Sequence, residues 1–436
     1  MNDRDPELDE RARRRLERRR RAVRRRRAIA VGAAVVVLGV AAAAWGALAR
    51  DPGAAARTGD GAARAANPPP TRATTAVRST AGRATRGSTT RTTAARTARA
   101  PRPSDKARLR LREVITGNIS PKSVVSSGHG YVTAQNMMYR HSVSVYDART
   151  LKLVRTISDA VRLPKLGYPE LPGVVRGAPV EAAFSPDGRY AYVSNYSMYG
   201  PGFGPEGSDS CTPSSGYDRS FVYRIDMRSL KIDRAYRVGA VPKVVAVTPD
   251  DRFVLVSNWC TWDLSVISTR KGKEVKRIKI GAYPRGIAVS PKGNAAYVAV
   301  MGGNELVRVD LRTWRTSSIG VGAGPRAAEF HPSDRYIFVS LNAEGRVAKL
   351  DLRDGVVRSK VATGSAPRSL ALSGDGRSLY VVNYESGTIT KLRTSDMSTL
   401  QTIEACYHPI GITYDTPTLR VWVACYTGSI RVYNDW

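Results

Sequence analysis

The chain is 436 residues long, with 69 Lys and Arg against 37 Asp and Glu, a formal net charge of +32. The charge is segmental: residues 1–27 hold 13 Arg, residues 50–104 hold 11 Arg, and every Lys lies beyond residue 104. A uniformly basic nucleic-acid-binding globule is thereby excluded, and the Val-, Ile-, Leu- and Tyr-rich last three quarters exclude a wholly disordered chain.

In chain order, the first element is the basic segment 1–27, followed by residues 28–49, which carry no charge and include Val35-Val36-Val37-Leu38. At 1.5 Å per residue a helix of that length spans about 30 Å, enough to cross a hydrocarbon core. Arginines abut the apolar run on its N-terminal side up to Arg27, which predicts a cytoplasmic N-terminus and a single-pass anchor in the cell membrane. The alternative is an export signal cleaved near Ala49, because Ala47-Leu48-Ala49 has the small-x-small pattern. Gly32, Gly39 and Gly46 recur every seventh residue; they read as small residues of an Ala-rich span, the alternative being a stripe through which the span would associate with a membrane complex.

Residues 50–104 consist mostly of Ala, Thr, Arg, Gly, Pro and Ser and lack aromatic residues. Such a segment buries too little apolar surface to offset its ordering entropy and is predicted to be a disordered stalk. Its reach is on the order of 40 Å. With no aromatics for base stacking, specific nucleic-acid binding is not expected.

Residues 105–436 are periodic. Pro179-Val-Glu-Ala-Ala-Phe-Ser-Pro-Asp-Gly aligns with segments that begin at Pro242, Pro284, Pro325 and Pro367, and weaker copies begin at Pro121 and Pro409. Successive starts lie 58, 63, 42, 41, 42 and 42 residues apart, so there are seven copies of one unit, the first two carrying insertions. Each unit reads as four short strands; in the fourth copy these are 287–290, 296–300, 306–310 and 317–321. Seven such units predict an all-β, seven-bladed β-propeller with four-stranded blades. The last copy stops after its third strand at 429–433, and residues 109–115 have the missing strand's pattern. They are expected to close the ring from the N-terminal side.

The strand ends Tyr192-Val-Ser-Asn195, Leu255-Val-Ser-Asn258, Tyr297-Val-Ala-Val300 and Tyr380-Val-Val-Asn383 resemble the core of the YVTN-repeat β-propellers. The Ser-Pro-Asp-Gly-Arg turn at Ser185 and the Val-Gly-x-x-Pro-Arg approach resemble that family as well. The resemblance covers about three quarters of the chain and implies surface or periplasmic binding proteins. Similar repeats occur in lactonase-type propellers and in dehydrogenase subunits. Val300, Leu341 and Cys425 stand where the family has Asn, so an intact Asn ring is not expected.

In such a propeller the Gly-x-x-Pro connections and the loops after each second strand share one face, here the top. The insertions 159–178 and 197–219 both fall there on adjacent blades, the second with Tyr196 just before it and Tyr199, Phe203 and Tyr217 within it. The four cysteines fall there too, and topology pairs Cys211 with Cys260 and Cys406 with Cys425. No close Cys spacing points to zinc. Lys122, Lys243, Arg285, Arg326 and Arg368 follow the repeat Pro and are expected to ring the central mouth as an anion-attracting funnel. Trp259, Trp262, Tyr384, Tyr407 and Tyr426, with Tyr196, are candidate stacking surfaces.

His129 and His331 fall in bottom turns, which leaves His141 and His408 as the candidate acid/base pair. The chain has no Gly-rich phosphate loop and no haem or flavin motif, so no cofactor and no metal are expected. The expected function is non-catalytic binding of an anionic envelope polymer or a protein partner outside the membrane. The alternative is a lactonase- or lyase-like enzyme acting at the channel mouth.

Overall fold

The computed structural model describes residues 102–138 and 140–436. The basic segment, the apolar run 28–49 and the stalk up to residue 101 lie outside the described residues. Among the described residues no helix is long and apolar enough to cross a membrane.

The repeat builds seven four-stranded antiparallel sheets, one per copy. Blades 1 to 6 run over residues 123–158, 179–237, 242–279, 284–320, 325–362 and 367–404. Blade 7 takes its three inner strands from 409–434 and its outermost strand from Arg110–Ile115. In blade 4 the strands are Pro284–Val289, Ala295–Val300, Glu305–Asp310 and Thr316–Gly320. The repeat Pro thus opens the inner strand itself. A proline is tolerated there because the first residue of a strand need not donate to the ladder.

Ring closure occurs as the pattern predicts. Arg110–Ile115 pairs antiparallel with Ser429–Asn434, in register from Arg110 opposite Asn434 to Ile115 opposite Ile430, with a bulge between Leu111 and Glu113. Just before the closing strand, Ser104 is buried and donates through Oγ to Asp375 Oδ1 (2.6 Å).

The core lies between blades, where each sheet face packs on the next. Leu255, Leu264 and Val266 of blade 3 meet Val298, Val307 and Val309 of blade 4. Equivalent apolar layers fill the other six junctions, including the closing one, where Trp422 and Val432 of blade 7 meet Val132 and Ala134 of blade 1. Each fully buried aliphatic side chain contributes roughly 1.5–3 kcal/mol, so the junctions rather than the individual sheets stabilise the ring.

Candidate ligand site at the channel mouth

The inner strands are seated by a repeated device. The carbonyl of the residue after the repeat Pro accepts a Ser hydroxyl from the preceding blade: Ser194 to Lys243 (2.6 Å), Ser257 to Arg285 (2.6 Å) and Ser340 to Arg368 (3.0 Å). Blades 2 and 7 receive Ser123 on Val180 (2.8 Å) and Ser369 on Ile410 (2.8 Å). At the two remaining junctions a glycine replaces the hydroxyl. A Cβ on Gly286 would lie 2.6 Å from the Arg326 carbonyl, and one on Gly411 would lie 3.3 Å from that of Lys122. The Ser of Tyr-Val-Ser-Asn is therefore an inter-blade clasp. The Asn holds its own blade, as where Asn258 Nδ2 donates to Ser265 Oγ (2.9 Å) and Asn383 Nδ2 to Thr390 Oγ1 (3.0 Å).

In blades 3 to 7 the approach to the inner strand turns through a left-handed residue directly before the proline: Val241, Tyr283, Ala366 and His408 have φ between 52° and 58°, and Gly324 has 62°. Such backbone is costly for a β-branched residue such as Val241 and persists only where the surroundings enforce it. In blades 3 to 6 the next-but-one residue is the cation, Lys243, Arg285, Arg326 or Arg368; Lys122 follows its proline without such a turn, and blade 7 has Ile410 there.

The five cations converge. Lys122, Lys243, Arg285 and Arg326 are buried at 8, 3, 6 and 6% exposure, and Arg368 is half-buried. Lys122 of blade 1 feels the charges of Arg285, Arg326 and Arg368 from blades 4 to 6, so these side chains face one another around the ring. Burial first, then the neighbouring guanidiniums, press the Lys122 ammonium and the Arg326 guanidinium well below their ordinary ranges. Burial likewise brings Lys243 down to about 8, against the pull of Asp209, and Arg368 to about 10. Glu181 counters this effect on Lys122, Arg285 and Arg326, and Asp209 does so on Arg285 and Arg326.

Asp209, in the second insertion, is a site residue absent from the sequence reading. Its Oδ1 accepts from Lys243 Nζ (2.7 Å), and its backbone carbonyl accepts from Trp259 Nε1 (2.9 Å). Its side chain is 73% exposed at the rim. Partial desolvation works to raise its carboxyl, but Lys243 overrides this and holds it well below the carboxylate range. The signal for it was adjacency: Asp209 stands two residues before Cys211, which is bonded to Cys260 of the next blade. The Cys406–Cys425 disulfide also forms as expected.

The aromatics fall into two groups. Tyr196 and Trp259 are buried beneath Lys243, their ring centroids 4.2 and 5.2 Å from its ammonium, and Trp259 and Trp262 flank Tyr283. Across the mouth Arg368 lies 3.3 Å over Tyr384, which stacks on His408 (4.0 Å), itself against Tyr407 (3.8 Å) and Tyr426 (6.3 Å). Tyr407 is the exposed member, at 67%. The aromatics of the second insertion pack inward instead of forming a displayed patch. Phe203 joins Leu163, Leu171 and Val175 of the first insertion, and Tyr199 stacks on His141 (5.2 Å).

The two top-face histidines belong to separate clusters and do not form a pair. His141 lies 3.9 Å from the buried Asp159, which Arg176 also holds at 3.0 Å. His408 lies 3.5 Å from Glu385. Burial lowers both imidazoles, so neutral rings prevail at neutral pH. A surface cavity of about 710 Å³, lined by Arg252, Phe253, Lys276 and Trp314, includes the blade 3 bottom turn and none of the five mouth cations.

The fold defines the class, a seven-bladed β-propeller. A model of the cytochrome D1 heme domain matches residues 326–432. The chain is 30% identical over 233 residues to hydrazine synthase subunit beta of Kuenenia stuttgartiensis, covering 48% of this chain and 56% of that one. It is 38% identical over 135 residues to the seven-bladed beta-propeller protein Rv1057 of Mycobacterium tuberculosis, covering 29 and 32%. Antigen Lp49 of Leptospira interrogans is 26% identical over 169 residues, 37% of each chain. The chain therefore spans between about a third and a little over half of these curated relatives. A solved chain of Kuenenia stuttgartiensis hydrazine synthase superposes with a TM-score of 0.57 at 17% identity, over 73% of this chain and 96% of that one, a likeness of fold.

Proposed function

We propose that the protein is a non-catalytic binding module, held outside the membrane by residues 28–49, whose channel mouth takes an anionic group of an envelope polymer or protein partner. The observation that carries this reading is the convergence of five cations on one opening, where among the described residues only Asp209 forms an ion pair with one of them. Two disulfides suit an oxidising compartment. The Tyr-Val-Ser-Asn strand ends support a YVTN-repeat affiliation within the propellers.

The heme of the matched family's name finds no fit here. Of the two histidines in the matched segment, His331 is bound to Ser333 in a bottom turn, and His408 is sandwiched between Tyr384 and Tyr407 with Nε2 toward Glu385. His331 lies away from the mouth, and His408, although beside Arg368, has its ring and Nε2 engaged by these neighbours.

The test is co-sedimentation of the full chain with cell-wall sacculi, intact or stripped of anionic polymer, over a salt series. Retention by the mouth falls on stripping, falls with salt, and falls severalfold in a Lys243→Met/Arg285→Met/Arg326→Met variant. Retention indifferent to both stripping and the variant overturns the reading. A lactonase- or lyase-like activity is the second reading, favoured by the His408–Glu385 pair at the rim. It requires turnover that His408→Ala abolishes.

A further inference from the structure

The mouth carries more positive charge than the surrounding protein answers. Among the described residues Lys243 alone of the five cations forms an ion pair, with Asp209. Lys122 Nζ and Arg368 Nε are buried without any hydrogen-bond partner. A buried cation without a partner costs several kcal/mol, and the like charges of Arg285, Arg326 and Arg368 add to the cost at Lys122, against which Glu181 is the one acid that acts on it. Arg368 is held by its face on Tyr384, and Arg285 lies 5.8 Å over Trp259. Stacking of this kind supports a guanidinium while leaving its in-plane N–H edge free for an oxyanion.

Size is set by burial. Lys122, Arg285 and Arg326 are 8, 6 and 6% exposed, whereas Asp209 at the rim is 73% exposed. A polyanion laid across the mouth meets the Asp209 carboxylate before it meets those cations, and only a compact group reaches them. Resting on the reading above, we propose that the ligand is a compact multivalent oxyanion, either a small phosphorylated or polycarboxylate molecule or the terminal group of a longer chain. It would sit among Lys122, Arg285, Arg326 and Arg368, with Asp209 as the fixed counter-ion of Lys243.

The test uses the full chain, with pyrophosphate and citrate as compact probes in titration calorimetry at constant ionic strength, and long-chain polyphosphate as the extended one. One pyrophosphate or citrate binds per chain, and Arg285→Met/Arg326→Met weakens binding about a hundredfold or more. Asp209→Asn keeps every cation and tightens binding roughly fivefold, which tests the site even if the double variant folds poorly. Competition by free-ended but not end-blocked polyphosphate supports a terminal group as the ligand, and competition by neither supports a free small molecule. Competition by end-blocked polyphosphate overturns the size argument. If neither compact probe binds while polyphosphate binding still needs Arg285 and Arg326, this proposal falls and the anionic mouth stands. If polyphosphate binding survives the double variant, both fall.

Discussion

Glu329 lies on the blade 5 inner strand, three residues beyond Arg326, and burial raises its carboxyl from an ordinary value near 4.5 to about 7. A raised acid holds its proton more tightly in the folded state. Its contribution to stability is complete below about pH 4.5 and lost as pH rises through about 7. The loss amounts to about 3 kcal/mol at full ionisation. Chemical denaturation from pH 4 to 8 should show this decline in the native protein and a flatter profile in Glu329→Gln; identical profiles would refute it. Side chains of this kind mark the limit of the sequence reading. Five cations after five prolines were legible because the repeat places them alike. Asp209 was not, because it sits in an insertion that no periodicity describes, and only the fold brings it to Lys243 of the next blade, 34 residues further on. The inward turn of Phe203 and Tyr199 was hidden for the same reason: composition shows an aromatic loop, and only packing shows which way it faces.

At the scale of elements, strand order and ring closure were legible because turn residues and β-branched runs recur every 42 residues. The seal between the two ends of the ring was not. Lys391, fully buried on the third strand of blade 6, donates to the carbonyls of Ser104 (2.7 Å) and Ala107 (3.0 Å) and to Asp435 Oδ1 (2.5 Å). Tyr380 donates to the other oxygen of Asp435. One ammonium thus binds the entry segment and the final residues together, with all three of its donors used. Gln401 adds two bonds to the backbone of Leu109. Lys391→Met strands a buried carboxylate and two carbonyls and is expected to cost about 3–5 kcal/mol. Loss of the seal releases Arg110–Ile115 and exposes the edge of Ser429–Asn434 to other chains. Thermal melts and light scattering should show a lower midpoint with concentration-dependent self-association. A monomeric variant of unchanged stability would refute the seal.

For the molecule as a whole, the two disulfides do unequal work. Cys211–Cys260 closes 49 residues and Cys406–Cys425 closes 19, which by chain entropy alone correspond to about 4 and about 3 kcal/mol. Their surroundings widen that gap. Cys425 already stands opposite Pro409 in the blade 7 sheet, so its crosslink reinforces chain that the ladder holds. Cys211 lies in an insertion outside every sheet, tethered near it by the Asp209 bonds to Lys243 and Trp259 and by Ser197 Oγ, which accepts from Gly207 N (2.9 Å). Cys211→Ser/Cys260→Ser should therefore lower the melting temperature more than Cys406→Ser/Cys425→Ser and should raise amide exchange over residues 197–219. The seven inter-blade junctions should keep their protection, because their apolar layers contain neither Cys211 nor Cys260. Equal losses from the two variants, or exchange that spreads into the blades, would mean that the insertion is part of the ring's own stability and not a loop pinned on a rigid scaffold.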